Sequence, residues 1–291
     1  MKTFDKISEV QRDDFCSHDA IKHYQNLGIV VVKNAIPKEL IEETENKLRQ
    51  FFESVLKNHS LDFKAGMSLD EVHHLVEQSL DPEKSKYLLT IGKDLPAFKK
   101  LISSDYVMKW IHALLGTENI QSADDSNVLR IDRPNSDFTN LPWHQDYPYN
   151  MLSLNAITAW IPILPVEKNM GRMRVVVPKC ELLPIEYSHK IKSQFHNSRY
   201  IKLRELDILE KQFEENSIEL QEVLPGDMIL FDALLLHRSG INYSQKSRWV
   251  ATARYGSLDD ELLSKRNYFT ARAKYPDIFK HYHPDFWFEV D

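Results

Sequence analysis

The feature that constrains this chain most is a change in hydrophobic period near residue 117. Upstream the apolar residues recur at three-to-four spacing. Over 37–58, Leu40, Ile41, Thr44, Leu48, Phe51, Phe52 and Val55 share one helical face behind Pro37, a residue suited to a first helical position. SLDE at 68–71 reads as a capping box, Ser68 with Glu71, opening a helix through Val72, Leu75 and Val76. Segments 95–103 and 105–115 read as two more helices, the second closed by Gly116. IVVV at 29–32 is one early strand. Downstream the segments are short and rich in β-branched and aromatic residues: NVLRI (127–131), AITAWIPIL (156–164), RMRVVV (172–177), IELQEV (218–223), DMILF (227–231) and RWVATARY (248–255). Pro142, Asn169 to Gly171 and PGD at 225–227 punctuate them. The expected fold is mainly β, a sandwich or barrel, with flanking helices concentrated in an N-terminal region.

This organisation reads as a single domain over 1–291. Residues 1–116 are helical support and about 117–257 the β core. An insertion at about 180–216 carries one helix (Leu206, Leu209, Phe213), and 258–291 form an aromatic, charged C-terminal extension. No internal repeat or low-complexity stretch interrupts it. The formal net charge is −6 and no Lys/Arg-rich block occurs, which argues against nucleic acid or anionic lipid as a partner. Cys16 and Cys180 lie far apart in no C-x-x-C pattern, so neither a disulfide framework nor a thiolate metal site is expected. The start, MKTFDKISEVQRDDF, has no apolar stretch of the kind a secretory leader carries, and IVVV and ALLL are too short to span a bilayer. The expectation is a cytoplasmic protein, monomer or homodimer.

Chemistry points to WHQDYPYN at 143–150. A His-x-Asp/Glu triplet is weak by itself: about two are expected by chance in a chain of this composition. Two occur, His144-Gln145-Asp146 and His283-Pro284-Asp285. In an extended strand His144 and Asp146 would share a face, offering an imidazole and a carboxylate to one first-row ion such as Fe(II). A third donor is His237 in DMILFDALLLHRSGIN, read as the end of a long apolar strand. Two histidines and a carboxylate leave open positions for a co-substrate and O2. No later histidine follows His283, so HPD reads as a chance match in a surface tail; His281 and His283 are discounted for the same reason. Arg248, eleven residues past His237, could clasp the far carboxylate of a dicarboxylate that chelates the metal. Its rival Arg254 lies six residues on, on the same strand face, and reads as a structural ion pair.

Taken together, HQD at 144–146, PGD at 225–227, H-x-S-G-x-N at 237–242 and Arg248 resemble the phytanoyl-CoA dioxygenase family of Fe(II)- and 2-oxoglutarate-dependent oxygenases. The resemblance covers about 18–257. It implies a double-stranded β-helix (jelly roll, cupin-like) core. It implies His144, Asp146 and His237 as catalytic iron ligands, and Arg248 with Ser239 on the distal carboxylate of 2-oxoglutarate. It places Asn127 and Trp160 near the co-substrate. Fe(II), 2-oxoglutarate and O2 are the implied cofactors. Because Asp146 keeps the carboxylate that halogenating relatives lack, hydroxylation or another plain oxidation is expected, with release of succinate and CO2.

The competing reading is a jelly-roll module that binds a metal or small ligand without oxidation; release of succinate would separate the two. Tyr147 and Tyr149 are candidate substrate-pocket residues, with plain core as the alternative. His73 and His74 read as a solvated helix face. The substrate is read as a small molecule, and Lys64, Lys84, Lys86, Lys93 and Asp137, in the segments expected to wall its pocket, carry no legible code.

Overall fold

Strict alternation along the central strands sorts their side chains onto two faces, and that sorting builds the molecule. The computed structural model describes residues 7, 9–12, 17–136, 141–188, 201–270 and 276–290. Cys16, Asp137, part of the insertion (189–200) and the side chains of Lys84 and Lys86 lie outside the described residues. The main sheet joins β1 (Glu9–Gln11), β2 (Ile29–Lys33), β10 (Met228–Asp232), β5 (Ala156–Pro162), β12 (Arg248–Ser257) and β3 (Ile120–Ser122) in that order, with β4 (Val128–Asp132) also paired to β12. A second sheet has the order β11 (Leu236–Ser239), β6 (Met173–Val176), β9 (Ser217–Glu219).

On the outer face of the main sheet, Val30, Val32, Leu129, Ile131, Ile157, Ala159, Ile161, Leu230, Trp249 and Ala251 are buried under helices. These are α1 (His18–Leu27), α2 (Lys38–Asn58), α3 (Leu69–Ser79), α4 (Pro82–Asp94), α5 (Pro96–Ile102) and α6 (Asp105–Leu115). The alternate residues, Ile29, Val31, Trp160, Ile229, Phe231 and Val250, face the second sheet with Met173 and Val175. Period-two alternation thus gives one strand two apolar duties. The interior between the sheets also receives the even-numbered residues of β4 and β12, including Arg130, Asp132, Arg248, Thr252 and Arg254.

The helical readings hold with small shifts. The capping box is present, with the Ser68 side chain accepting from the Glu71 amide and the Glu71 carboxylate accepting from the Ser68 amide. Gly116 closes α6 at φ 71°, as a left-handed C-cap should. Pro37 is the N-cap of α2, not its first residue. Helices α1 and α4 were not anticipated: α4 has a weak apolar face, and α1 pairs its few buried residues with a polar composition.

Three expectations need correction. The apolar run DMILFDALLLH is not one strand. Asp232 accepts the Leu234 and Leu235 amides, through its side chain and its carbonyl, and turns the chain, so β10 and β11 lie in different sheets. His73 does not face solvent: it is 4% exposed, its ring 4.9 Å from both Phe52 and Trp249. The C-terminal extension is not a surface tail. Its helices α9 (Glu261–Lys265) and α10 (Pro276–Tyr282) bury Leu263 and Phe279, and its strand β13 (Trp287–Glu289) joins β7 (Ile185–Tyr187) and β8 (Ile201–Leu203) of the insertion in a third sheet. The anticipated helix of the insertion is α8 (Leu206–Asn216).

Candidate metal centre

His144 and His237 face each other across the mouth of the two sheets. Their backbones form an isolated antiparallel bridge, each amide donating to the other's carbonyl at 3.0 Å. Asp146 follows in a helical conformation (φ −72°, ψ −30°) at the cap of α7 (Tyr147–Asn150), not in the extended strand that His-x-Asp alternation suggested. One donor atom from each of His144, Asp146 and His237 nevertheless lies within 4.8 Å of the others. Among the described residues no other such group exists.

The hydrogen bonds define which atoms converge. The ring Nδ1 of His144 lies 2.8 Å from the Pro142 carbonyl, and that of His237 lies 2.9 Å from the Leu235 carbonyl. A carbonyl can only accept, so each Nδ1 carries the proton and each Nε2 keeps its lone pair. Burial, followed by the neighbouring His237, holds His144 down at about 3; burial likewise lowers His237. Both rings are neutral, the form a metal requires. Burial pushes Asp146 up, but the Arg254 guanidinium and the Thr158 hydroxyl oppose it, and the carboxyl lies well below its ordinary range. Two neutral imidazoles and a carboxylate, all under 7% exposed, fit a first-row divalent ion.

The residues between the ligands anchor this turn. Gln145 donates to the carbonyls of Glu181 (2.9 Å) and Leu234 (2.8 Å) and accepts from the Leu183 amide (2.9 Å). Trp143 donates to Glu214 of α8 at 3.2 Å. Tyr147 does not line an open pocket; it is fully buried and bonds His283 at 2.9 Å. Tyr149 reaches the Ile201 carbonyl and sets its ring edge-on to His144, 5.9 Å between centroids.

Arg248 is 3% exposed and opposite Asp132 in the β4–β12 register. Its Nε and Nη2 donate to Asp132 Oδ2 at 2.9 and 2.6 Å, and Nη1 donates to the carbonyls of Met170 (3.0 Å) and Gly171. Burial pulls its pKa down; Asp132 opposes this. Arg248 is therefore a preset fork, not a free one, and Asp132, which also accepts from Arg130 Nε, was missed from sequence. Ser239 follows His237 on the same strand face, opposite Met173. Trp160 shares the inner face of β5 with Thr158 and belongs to the inter-sheet core. Asn127 spends its side chain on Ser122, Asp124 and the Arg254 amide. Arg254 pairs with Asp146 itself, Nε to Oδ2 at 3.1 Å, so the expected ion pair exists but its partner is a candidate ligand.

A jelly-roll core whose mouth carries two neutral histidines and an aspartate defines the class of iron- and 2-oxoglutarate-dependent oxygenases. The sequence profile of the family "Phytanoyl-CoA dioxygenase (PhyH)" matches residues 24–250, and the chain belongs to that family. The human peroxisomal phytanoyl-CoA dioxygenase is 22% identical over 251 residues, 82% of this chain and 68% of that protein. The rat protein is 23% identical, covering 84% and 69%. Among solved structures, EctD from S. alaskensis with 2-oxoglutarate and 5-hydroxyectoine aligns at TM-score 0.56 and 15% identity, over 84% of this chain and 77% of that one. The epimerase SnoN in complex with Fe3+, alpha ketoglutarate and nogalamycin RO aligns at 0.53 and 15%, over 82% of each. The shared fold is the jelly roll with N-terminal helices anticipated above. As a member of this family the protein is a 2-oxoglutarate-dependent dioxygenase using Fe(II), 2-oxoglutarate and O2. No helix among the described residues is long and apolar enough to cross a membrane.

Proposed function

We propose that His144 Nε2, Asp146 Oδ1 and His237 Nε2 hold the Fe(II), and that the enzyme hydroxylates a C–H bond of a small-molecule substrate in the cytoplasm, working as one domain. The observation that carries this is the matched pair of Nδ1 bonds to carbonyls two residues back, which frees both Nε2 atoms toward one point beside Asp146. When bound, iron with 2-oxoglutarate and O2 supplies the oxidising power, with succinate and CO2 as co-products.

What the chain adds is binding, orientation and exclusion of water. Arg248, oriented by Asp132 and the two backbone carbonyls, offers its remaining N–H toward the distal carboxylate of 2-oxoglutarate, with the Ser239 hydroxyl beside it. Trp160 and Phe231 form the apolar wall; the Phe231 ring stands 4.6 Å from that of His237. Such a wall keeps solvent from the reacting centre. Asn127 serves through the backbone of Arg254 and does not touch the co-substrate. Tyr149, edge-on to His144, lies at the substrate side, whereas Tyr147 is a structural support.

The test is co-substrate turnover. The purified protein with Fe(II) should convert 2-oxoglutarate to succinate, and His144→Ala, Asp146→Ala and His237→Ala should each abolish this. Retention of metal or ligand binding with no succinate formed by the intact protein, across a broad substrate panel, would favour the non-catalytic module.

A further inference from the structure

We propose that Thr158 and Arg254 are positioning residues that hold Oδ2 of Asp146 away from the metal. The carboxylate then binds through Oδ1 alone and leaves one more coordination position open. This rests on the reading of Asp146 as an iron ligand.

The hydrogen bonds at the carboxylate are unequal. Oδ2 accepts the Thr158 hydroxyl at 2.6 Å and Arg254 Nε at 3.1 Å. A carboxylate oxygen has two in-plane lone pairs, so these two donors fill Oδ2. Among the described residues Oδ1 has only Arg254 Nη2 at 3.5 Å, the limit of a hydrogen bond, and lies 3.7 Å from His144 Nε2. The oxygen with vacant lone pairs is the one nearest His144 Nε2.

The donors are themselves fixed. Thr158 and Arg254 are directly opposite partners in the β5–β12 register, on the inner face of the sheet. Arg254 is further anchored where it does not touch Asp146. Its Nη1 donates to the Ser126 carbonyl, and its backbone amide donates to Asn127 Oδ1 at 2.9 Å. A two-strand register and a loop therefore aim two donors at one oxygen atom. Outer hydrogen bonds of this kind orient a ligand and set how it binds.

The consequence is a count. A six-coordinate ion with three protein donors has three remaining positions; an aspartate that chelates through both oxygens leaves two. Two positions accommodate a chelating keto acid and nothing more. Thr158 and Arg254 thus preserve the position that a third small ligand needs.

Mn(II) is the probe, and exchangeable water on the metal the readout, by water-proton relaxation and by 17O-water broadening of the EPR lines. The Mn(II)-saturated protein should carry three exchangeable waters, falling to one on adding 2-oxoglutarate. The double variant Thr158→Val, Arg254→Met should carry two, falling to none, with Mn(II) still bound. Thr158→Ser and Arg254→Lys each keep a donor and should stay at three. Thr158→Val alone is near-isosteric and protects the test against a misfolded double variant; circular dichroism confirms the fold of each. Three waters in the folded double variant would overturn the proposal. Failure of a different kind, in which the unaltered protein binds Mn(II) no better than His144→Ala does, would remove the ligand reading beneath it.

Discussion

Arg248 shows how much of a side chain's role depends on what faces it. Its spacing from His237 marks it in the sequence, but its opposite partner Asp132 is set by strand register, which no local pattern encodes. Asn242 completes the arrangement by donating to the Asp132 carbonyl at 2.8 Å, a physical reason for the asparagine of H-x-S-G-x-N. Gly171 and Gly240 of the same region touch backbone to backbone: a Cβ on Gly171, at φ +68°, would lie 2.1 Å from the Gly240 carbonyl oxygen. Gly171→Ala should therefore shift the carbonyl that Arg248 holds and lower both stability and 2-oxoglutarate affinity, measurable by thermal melting and equilibrium titration. For Arg248→Ala, losing a buried charge partner costs on the order of 2–5 kcal/mol, so 2-oxoglutarate affinity should fall roughly 30-fold or more while Mn(II) still binds. Arg248→Lys, with charge but no planar fork, should fall between. A large loss in Arg254→Met with none in Arg248→Ala would place the co-substrate at the wrong arginine. The three ligand candidates were legible because residue type and spacing carry them. Thr158 was not, since a lone threonine in AITAWIPIL gains its meaning only from Arg254 across the strand pair.

Helix α3 illustrates the same limit for a whole element. Its capping box and apolar residues were readable, yet His73 sits on the buried face, against Phe52 and Trp249, because α3 docks on β12. Asp70 of this helix accepts from the Ser247 amide (3.1 Å) and Trp249 Nε1 (2.9 Å), which locks the dock. Burial, then Arg133 and His74, lowers His73 from 6.5 to about 3. Below pH 6.5 the unfolded chain takes up a proton there that the folded chain refuses, so the contribution of His73 to stability falls as pH drops through that window, while Glu77, 3.4 Å away and raised by burial to about 7, contributes with the opposite sign. His73→Phe should remove up to about 1.4 kcal/mol per pH unit of that slope between roughly pH 4 and 6, read from urea unfolding at several pH values. An unchanged slope would mean that His73 is solvated after all. The insertion and C-terminal extension teach a complementary lesson. Residues 143, 145, 147 and 149 each bond to one of them, through Glu214, Leu183, His283 and Ile201. These segments looked peripheral because their partners lie 38 to 136 residues away in sequence. Phe279→Ala should accordingly cost about 3–5 kcal/mol, as a core deletion does. A free surface tail would give a change near zero.

For the molecule as a whole, the change of period near residue 117 marks where most helices give way to most strands, because alternation and helical spacing are local, although β1 and β2 upstream of it join the main sheet. What it left open is how two sheets share one interior, which is decided by pairings such as His144 with His237. That interior also predicts how ligands act on stability. Metal and co-substrate bind only the folded arrangement, so each at about 100 times its dissociation constant should add about 2.7 kcal/mol. Mn(II) should raise the melting midpoint alone, and 2-oxoglutarate should raise it only when metal is present. Anaerobic titration with Fe(II) and 2-oxoglutarate tests whether His144, Asp146 and His237 form the proposed open iron site. A weak visible charge-transfer band should grow to one equivalent of each per chain, and should be absent in His144→Ala, Asp146→Ala and His237→Ala. No band in the intact protein, with zinc held instead in a closed four-ligand site, would contradict the account.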